Sequence, residues 1–221
     1  MTLGLPGRYL LLAAGALAGD APGRREELSL GVAGAALMSL TLAGRLGRER
    51  GALVVVNDRP TGAPHLDQIL QRLRATRRPK SVSTWVNDLA PVTYEGVLSA
   101  LVSSGELVPV PRGWPSLPAG ERYGPADRAQ YERYVGTVRN ALFRYPPVSR
   151  NGALTASLLC ATGVHQVLFQ EIGRKRLGEW SVLEESLSAV CDPAERAAVT
   201  AICLGVRDVI SGRTAELQFH G

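Results

Sequence analysis

The feature that most constrains this chain is an apolar segment without one charged side chain, from Leu28 to Gly44. A second segment of the same kind runs from Asn151 to Gln170. A helix that crosses a bilayer needs ~20 mostly apolar residues, and the first segment is too short while the second is too polar. Helices that are apolar on every side otherwise occupy the centre of helical proteins. We therefore predict that both segments are buried core helices.

The remaining sequence predicts further helices around this core. Apolar residues at helical spacing predict an amphipathic helix from Pro125 to Leu142. Asp192 followed by Pro193 is typical of a helix N-terminus, and we expect that helix to end near Gly212. Two shorter helices are predicted from Thr93 to Ser104 and from Trp180 to Val190.

Strand-forming residues are confined to two places. One is Ala52 to Val56, and the other is Glu106 to Val110, which we expect to pair with Glu121 to Tyr123 across a tip rich in proline and glycine. No linker-like, repeated or low-complexity stretch divides the 221 residues, so we expect one domain over residues 1–221. The predicted fold class is mainly α, a single-domain helical bundle around buried apolar helices with a small β-hairpin.

The cysteines and the N-terminal residues bear on the location of the protein. Cys160, Cys191 and Cys203 are odd in number and lack C-x-x-C spacing, which favours neither disulfides nor a zinc knuckle. Arg8 and the apolar run from Tyr9 to Gly19 superficially resemble a signal peptide, but no cleavage site is clear. We expect a cytoplasmic protein. Only two of the 25 basic residues are lysines, which is typical of a GC-rich bacterial genome.

Motifs for catalysis are largely missing from the sequence, which has no P-loop, no G-x-S-x-G and no H-E-x-x-H. Cys160 and His165 stand five residues apart, which turns them to different faces of one helix and favours core roles. His65 and Asp67 flank a leucine at a predicted helix start, where aspartate complements the helix dipole. The three histidines are scattered and no carboxylates cluster. We expect no enzyme, no cofactor and no metal site.

Positive charge is the property that remains to suggest a function. The formal net charge is +5 and the pI is near 9.4. Each basic residue held near an anionic membrane contributes ~1 kcal/mol, so four or five on one face bind reversibly. The alternative is that these are solvated surface arginines. The basic clusters are Arg24 with Arg25, Arg45 with Arg48 and Arg50, Arg72 with Arg74, Arg77, Arg78 and Lys80, and Arg174 with Lys175 and Arg176.

A winged-helix-like DNA-binding regulator is the alternative function. A predicted helix and a predicted hairpin follow one another between Thr93 and Tyr123 in a basic protein. A recognition helix reads bases through Arg, Lys, Asn or Gln, and none of these occurs between Pro91 and Pro111. Nucleic acid is therefore disfavoured as a partner.

The hairpin tip suggests contact with a membrane instead. It contains Arg112 and Trp114. A tryptophan ring is apolar with one polar N–H and prefers the bilayer interface, while an arginine attracts anionic headgroups. The alternative for Trp114 is that it folds back over the core.

Several short motifs occur in an order that resembles the Golgi phosphoprotein family, in its bacterial form. They are Tyr9-Leu10-Leu11-Leu12, Leu42-Ala43-Gly44-Arg45-Leu46, Pro60-Thr61-Gly62 with Leu66-Asp67, Leu101 to Leu107, and Arg122-Tyr123 with Asp127. The motifs are individually short, so their order and spacing carry the similarity, which covers most of the chain. The resemblance implies a mainly helical fold around a buried bundle, with a hairpin for membrane contact and self-association.

The resemblance also implies a function. Eukaryotic members of that family are peripheral membrane adaptors that bind phosphatidylinositol 4-phosphate. The expectation for this chain is a non-enzymatic adaptor that binds anionic phospholipid, peripheral on the inner face of the membrane. Its expected partners are an anionic membrane surface, a protein client and further copies of itself.

The headgroup ligands of the family are a Trp, an Arg and two further basic residues. They align near Arg24, Ala33, Pro91 and Tyr94 of this chain, where those residue types are not kept. Arg24 and Arg25 are expected to substitute in part, as an anion-binding pair. The expected site residues are Arg24 and Arg25 at the headgroup and Arg112 and Trp114 at the hairpin.

Overall fold

A computed structural model of the chain describes residues 3–17, 25–110, 122–170 and 180–219. Within these residues nine helices and two small antiparallel sheets form a mainly α fold, which confirms the predicted class. The helices are α1 (Leu5–Leu17), α2 (Arg25–Leu42), α3 (Pro64–Ala75), α4 (Val82–Ser103), α5 (Arg128–Phe143), α6 (Arg150–Ala161), α7 (Val164–Leu168), α8 (Trp180–Ser188) and α9 (Pro193–Phe219). The strands are β1 (Leu46–Glu49), β2 (Ala52–Val55), β3 (Lys80–Ser81), β4 (Leu107–Pro109) and β5 (Tyr123–Pro125).

The first apolar segment forms α2, which lies at the centre of the fold as predicted. Leu30, Leu37 and Met38 are almost completely buried, and α1, α4, α6 and α9 all contact the helix. A helix surrounded in this way has no solvent face, which explains why the segment is apolar around its whole circumference. No helix within the described ranges is both long and apolar enough to cross a bilayer.

Two glycines of α2 let neighbouring helices approach closely. A Cβ atom at Gly31 would lie 2.1 Å from the ring of Tyr9 in α1, and one at Gly34 would lie 2.6 Å from Val206 in α9. Tyr9 is completely buried, and its hydroxyl donates a hydrogen bond of 3.1 Å to Oγ1 of Thr162. The packing of α1 and α9 on α2 therefore depends on the missing side chains.

The second apolar segment is buried as predicted, but it is two helices rather than one. Helix α6 ends at Ala161 and α7 begins at Val164. Gly163 between them has a φ of +73°, a conformation that glycine adopts without steric cost. The chain therefore turns at Gly163, and the prediction of one helix through Gln170 was wrong.

Helix α4 begins at Val82 instead of Thr93. The hydroxyl of Ser81 accepts a hydrogen bond of 3.2 Å from the N–H of Thr84 and caps this earlier start. Pro91 lies inside the helix. A proline in a helix interior costs about 3 kcal/mol, and burial of the helix on both sides of Pro91 offsets that cost.

The boundaries of the C-terminal helices were predicted in part. Asp192 caps α9 through a 2.9 Å hydrogen bond from the N–H of Glu195, as expected, but the helix continues to Phe219 rather than ending near Gly212. Helix α5 begins at Arg128, because Pro125 belongs to strand β5. The short helix predicted from Trp180 is confirmed as α8.

Strand structure is more extensive than predicted. Strand β2 pairs on one side with β1 and on the other with β3, in antiparallel register, whereas β1 and β3 were not expected. Arg50 and Gly51 join β1 to β2 with φ values of 49° and 84°, which suits the tight turns of hairpins. The second hairpin is confirmed as β4 with β5, but its second strand is Tyr123–Pro125 rather than Glu121 to Tyr123. Its tip, residues 111–121, lies outside the described residues.

Helices α2 and α4 pack side by side and run in opposite directions. Arg25 at the start of α2 contacts Glu95 in the second half of α4. The other end of α2 leads into β1, and β3 leads into the start of α4. The three-stranded sheet and Arg25 therefore lie at opposite ends of α2.

Candidate functional site

One of the four expected membrane-contacting residues lies in the described part of the chain. Arg24 lies outside the described residues, as do Arg112 and Trp114 at the hairpin tip and the basic cluster from Arg174 to Arg176. Arg25 is the first residue of α2. The geometry of the expected headgroup site is therefore described at Arg25.

The guanidinium of Arg25 lies between two neighbouring side chains of α4. Its Cζ atom is 5.3 Å from the ring centre of Tyr94, and its Nη2 atom pairs with the carboxylate of Glu95. The side chains of Arg25 and Glu95 remain 66% and 58% exposed, whereas Tyr94 is buried. Burial raises the pKa of the Tyr94 hydroxyl, and the charge of Arg25 opposes that rise. Arg25 is thus held in place and still open to solvent.

Two further acidic residues follow this arginine in sequence. Glu26 and Glu27 lie in the first turn of α2. Glu26 pairs with Arg213 of α9, and Arg213 also donates a 2.6 Å hydrogen bond to Oδ1 of Asn87. The described side chains around Arg25 therefore carry more negative than positive charge, which opposes the binding of an anion.

Two other effects favour the binding of an anion at Arg25. The N-terminus of a helix attracts negative charge through its unpaired N–H groups and dipole. An exposed ion pair such as Arg25 with Glu95 is worth only about 0–1 kcal/mol, so a phosphate that makes charge-assisted hydrogen bonds can displace the carboxylate. Arg25 can therefore change partners at little cost in free energy.

The residues considered for catalysis are buried and separate. Cys160 lies near the end of α6, whereas His165 lies in α7. Nδ1 of His165 is 3.2 Å from the carbonyl oxygen of Leu159. Burial raises the pKa of the Cys160 thiol to about 12, which keeps it protonated and a poor nucleophile. Both residues have the core roles that the sequence favoured. Within the described residues no group of His, Cys, Asp and Glu side chains could hold a metal ion.

His65 and Asp67 lie in the first turn of α3, as predicted, but Asp67 has a further partner. Its carboxylate accepts hydrogen bonds from the N–H and the hydroxyl of Thr61, at 2.6 and 2.7 Å, and from the N–H of Gly62 at 3.3 Å. Burial lowers the pKa of His65, and the charge of Asp67 opposes this. The Pro-Thr-Gly segment and Asp67 thus fix the loop that precedes α3.

The structure gives no support to the DNA-binding alternative. The helix proposed to enter the major groove is the second half of α4, and its apolar face is buried against α2. Its residues from Pro91 to Ser103 include no Arg, Lys, Asn or Gln, the side chains that most often read bases.

Comparison with known proteins identifies the group to which the chain is related. The sequence model of the Golgi phosphoprotein 3 (GPP34) family matches residues 5–202, which is most of the 221 residues. The chain belongs to the Golgi phosphoprotein 3 family. No curated protein matches the chain significantly. The Golgi phosphoprotein 3 family is not known for an enzymatic activity.

The positions aligned with the headgroup ligands of the family differ in burial. Of the positions aligned with the headgroup ligands, Ala33 is completely buried in α2, Pro91 is exposed on α4, and Tyr94 is buried beneath Arg25. Arg25 of α2 therefore contacts Tyr94 of α4, which is one of the positions of the expected headgroup site.

Glu95 is the neighbour that sequence reasoning missed. It lies next to Tyr94 on α4 and 70 residues from Arg25. A single glutamate on a helix surface gives no local signal of a partner so far away in sequence. Only the packing of α2 against α4 shows that the carboxylate of Glu95 forms an ion pair with Arg25.

Proposed function

We propose that this member of the Golgi phosphoprotein 3 family is a non-enzymatic, peripheral membrane protein that binds anionic phospholipid headgroups. Arg24 and Arg25 supply the headgroup contact, and Arg112 and Trp114 supply a second contact at the hairpin. In this proposal the protein connects the membrane to a protein client or to further copies of itself.

The observation that carries the proposal is the exposed and fixed position of the Arg25 side chain. The side chain is two-thirds exposed, lies at a helix N-terminus and is positioned over Tyr94. Membership of the Golgi phosphoprotein 3 family supports a membrane-surface role for the protein as a whole. Because Tyr94 lies beneath the guanidinium, Arg25 is held at the surface in one position, where a headgroup can reach it.

The proposed recognition is of negative charge in general rather than of one phosphoinositide. Ala33 and Tyr94 offer no cation at two positions of the expected site, and Glu95 competes for the one arginine described there. Each basic residue at an anionic surface contributes ~1 kcal/mol. Arg24 and Arg25 alone therefore give weak binding, and the hairpin contributes the rest.

The test is co-sedimentation with vesicles at two salt concentrations. Vesicles of phosphatidylcholine alone are compared with vesicles that also contain phosphatidylserine or phosphatidylinositol 4-phosphate. We expect binding to both anionic compositions and loss of binding at high salt, since screening weakens exposed charges. An Arg24→Ala/Arg25→Ala variant should bind several-fold more weakly. No binding of the wild-type protein to any vesicle at low salt would overturn the proposal.

A change at Glu95 tests the role of Arg25 in the opposite direction. Glu95→Gln removes the competing carboxylate, so we expect two- to fivefold stronger binding to anionic vesicles. Glu132→Gln is the matched control, because Glu132 is also exposed and paired with an arginine, Arg128, on α5. Equal strengthening by both substitutions would show that only net charge matters and that Arg25 has no particular role.

A further inference from the structure

An open cleft of about 660 Å³ lies beside the three-stranded sheet, at the opposite end of α2 from Arg25. Its walls come from β2 and the loop that follows, the end of α3 and the segment that leads into α4, and the first turn of α4. The polar and aromatic residues that line it are Asn57, Asp58, Arg59, Arg74, Thr76, Arg77, Arg78 and Trp85. We refer to it below as the arginine cleft.

The arginine cleft carries an excess of positive charge. Four arginines and one aspartate line it. Asp58 pairs with Arg74 at 2.8 Å. Among the residues that the structure describes, the exposed guanidiniums of Arg59, Arg77 and Arg78 form no ion pair or hydrogen bond with another side chain. Three cations therefore face one cleft without a counter-charge.

Trp85 adds a buried donor without an acceptor. The residue is 3% exposed, lines the cleft, and its Nε1–H has no hydrogen-bond partner in the described part of the chain. Nζ of Lys80 lies 5.0 Å from the ring centre and pairs with Asp88 at 2.6 Å. A buried donor left unpaired costs about 1–3 kcal/mol. That cost disappears if a bound group supplies an acceptor.

Within the described residues, Arg77 and Arg78 form no hydrogen bond with the carbonyl groups at the end of α3. Cations near a helix C-terminus stabilise its free carbonyl groups, and this would be an ordinary structural role. At α3, however, Thr76 closes the helix: its N–H bonds to the carbonyl oxygen of Leu73 at 3.2 Å, and its hydroxyl bonds to that of Arg72 at 3.0 Å. Arg77 and Arg78 lie beyond this closure.

The cleft is separate from the region around Arg25. Trp85 and Tyr94 are nine residues apart on α4, which corresponds to about 13 Å along the helix axis. The two regions are also attached to opposite ends of α2. One phosphate group therefore cannot contact both.

We propose that the arginine cleft binds a phosphate-bearing anion. Guanidinium groups match the geometry of phosphate oxygens and form paired hydrogen bonds with them. Arg59, Arg77 and Arg78 provide these donors from two different segments, and Trp85 forms part of the wall. The anion is either a free phosphorylated molecule or a membrane headgroup, and the two sources share this chemistry.

The first arm of the test is isothermal titration calorimetry with inorganic pyrophosphate. We expect saturable binding by the full-length wild-type protein. Arg77→Ala/Arg78→Ala should weaken that binding at least tenfold. Arg72→Ala/Arg133→Ala removes the same charge from exposed positions outside the cleft and should change the affinity less than twofold. Absence of wild-type binding, or an equal loss in both double variants, would overturn the proposal.

The indole of Trp85 gives a readout independent of affinity. We expect pyrophosphate to shift the Nε1–H resonance of Trp85 in a ¹⁵N-edited NMR spectrum, assigned through its loss in Trp85→Phe. A resonance that stays unchanged at saturating pyrophosphate would contradict the assigned cleft even if the protein binds the anion elsewhere.

The second arm separates the two sources of phosphate. Pyrophosphate that competes with vesicles containing phosphatidylinositol 4-phosphate identifies a headgroup as the ligand, whereas pyrophosphate binding without competition identifies a free molecule. Arg24→Ala/Arg25→Ala should keep wild-type affinity for pyrophosphate. Pyrophosphate binding by the arginine cleft can therefore be shown even if the membrane function proposed for Arg25 fails. Likewise, vesicle binding through Arg25 can be shown even if the cleft binds no pyrophosphate.

Discussion

At the scale of single residues, two glycines allow the helices of the bundle to pack closely. Gly31 and Gly34 are embedded in an apolar helix, where glycine is intrinsically unfavourable. The contacts with Tyr9 and Val206 explain why they are there: each glycine makes room for a neighbouring helix. Glycines on exposed helix faces, such as Gly96 in α4, have no such neighbour within 4 Å.

This contrast predicts opposite effects of one substitution. Gly31→Ala should destabilise the protein by about 1–3 kcal/mol, because the added methyl group overpacks against Tyr9. Gly96→Ala should stabilise it by about 0.5–1 kcal/mol, because it removes a helix-weakening glycine where space is free. Urea unfolding followed by circular dichroism measures both values. If Gly31→Ala were neutral, the close approach of α1 and α2 would be wrong.

Asp67 predicts a pH dependence of stability. Hydrogen bonds, first from the N–H and then from the hydroxyl of Thr61, lower the pKa of its carboxyl below the usual 3.8. A group whose pKa is lower in the folded state stabilises the fold above its unfolded pKa, and that stabilisation is lost as the pH falls through the folded pKa. We expect wild type to be more stable than Asp67→Asn at pH 6, with the difference closing below about pH 4. Urea denaturation at pH 6, 4 and 3 checks this, and a difference independent of pH would contradict it.

The candidate site shows what residue types alone can predict. The sequence correctly indicated that Arg25 is a surface cation, because it stands in a basic pair before an apolar run. The partnership with Tyr94 and Glu95 could not be predicted, since it depends on how two long helices pack. Trp85 was not singled out either, because a tryptophan in an apolar pattern is usually part of the core.

At the scale of elements, helix ends were predictable where a polar side chain marks them. Asp192 was recognised as the cap of α9 because a proline follows it. The predicted start of α4 at Thr93 was eleven residues too late. Burial against α2 carries the helix through Pro91, a residue type that usually interrupts helices. Strand β1 was missed because its Leu-Gly-Arg-Glu sequence has little strand propensity, and its pairing with β2 forms it.

The cap of α5 provides a test at this scale. Oδ1 of Asp127 accepts a 3.0 Å hydrogen bond from the N–H of Gln130. Asp127→Ala should cost about 1 kcal/mol of stability, because one N–H at the helix start loses its acceptor, and the Tm should fall by roughly 2–4 °C. Arg128→Ala is the control, since that side chain is 90% exposed. Differential scanning calorimetry measures both, and equal shifts would exclude a capping role.

At the scale of the whole molecule, the three cysteines report how tightly the core is closed. Burial raises the pKa of Cys160 to about 12 and also raises those of Cys203 and Cys191. Cys203 lies in α9 and is 1% exposed, and Cys160 and Cys191 are 8% and 9% exposed. Cys191 differs from both in its place, because it lies in the connection between α8 and α9 rather than within a helix. The thiolate is the reactive form, so the buried thiols should react slowly.

We expect Ellman's reagent at pH 8 to modify Cys191 first and the other two thiols much more slowly. In denaturant all three should react at once. The Cys191→Ser variant should lose the faster phase. Rapid reaction of all three thiols in the native protein would show that the core opens easily.

The position of α2 has a consequence for how the protein tolerates change. A helix packed against others on one side accepts substitutions along its free face, at intervals of 3.6 residues. Helix α2 has neighbours all around between Leu28 and Met38, where every residue is buried. A deep mutational scan should therefore find an unbroken block of positions that reject charged residues in α2, and a periodic pattern in α5. This part of the chain leaves evolution almost no room for a new surface, so new binding properties have to arise at the ends of the helix and in the loops.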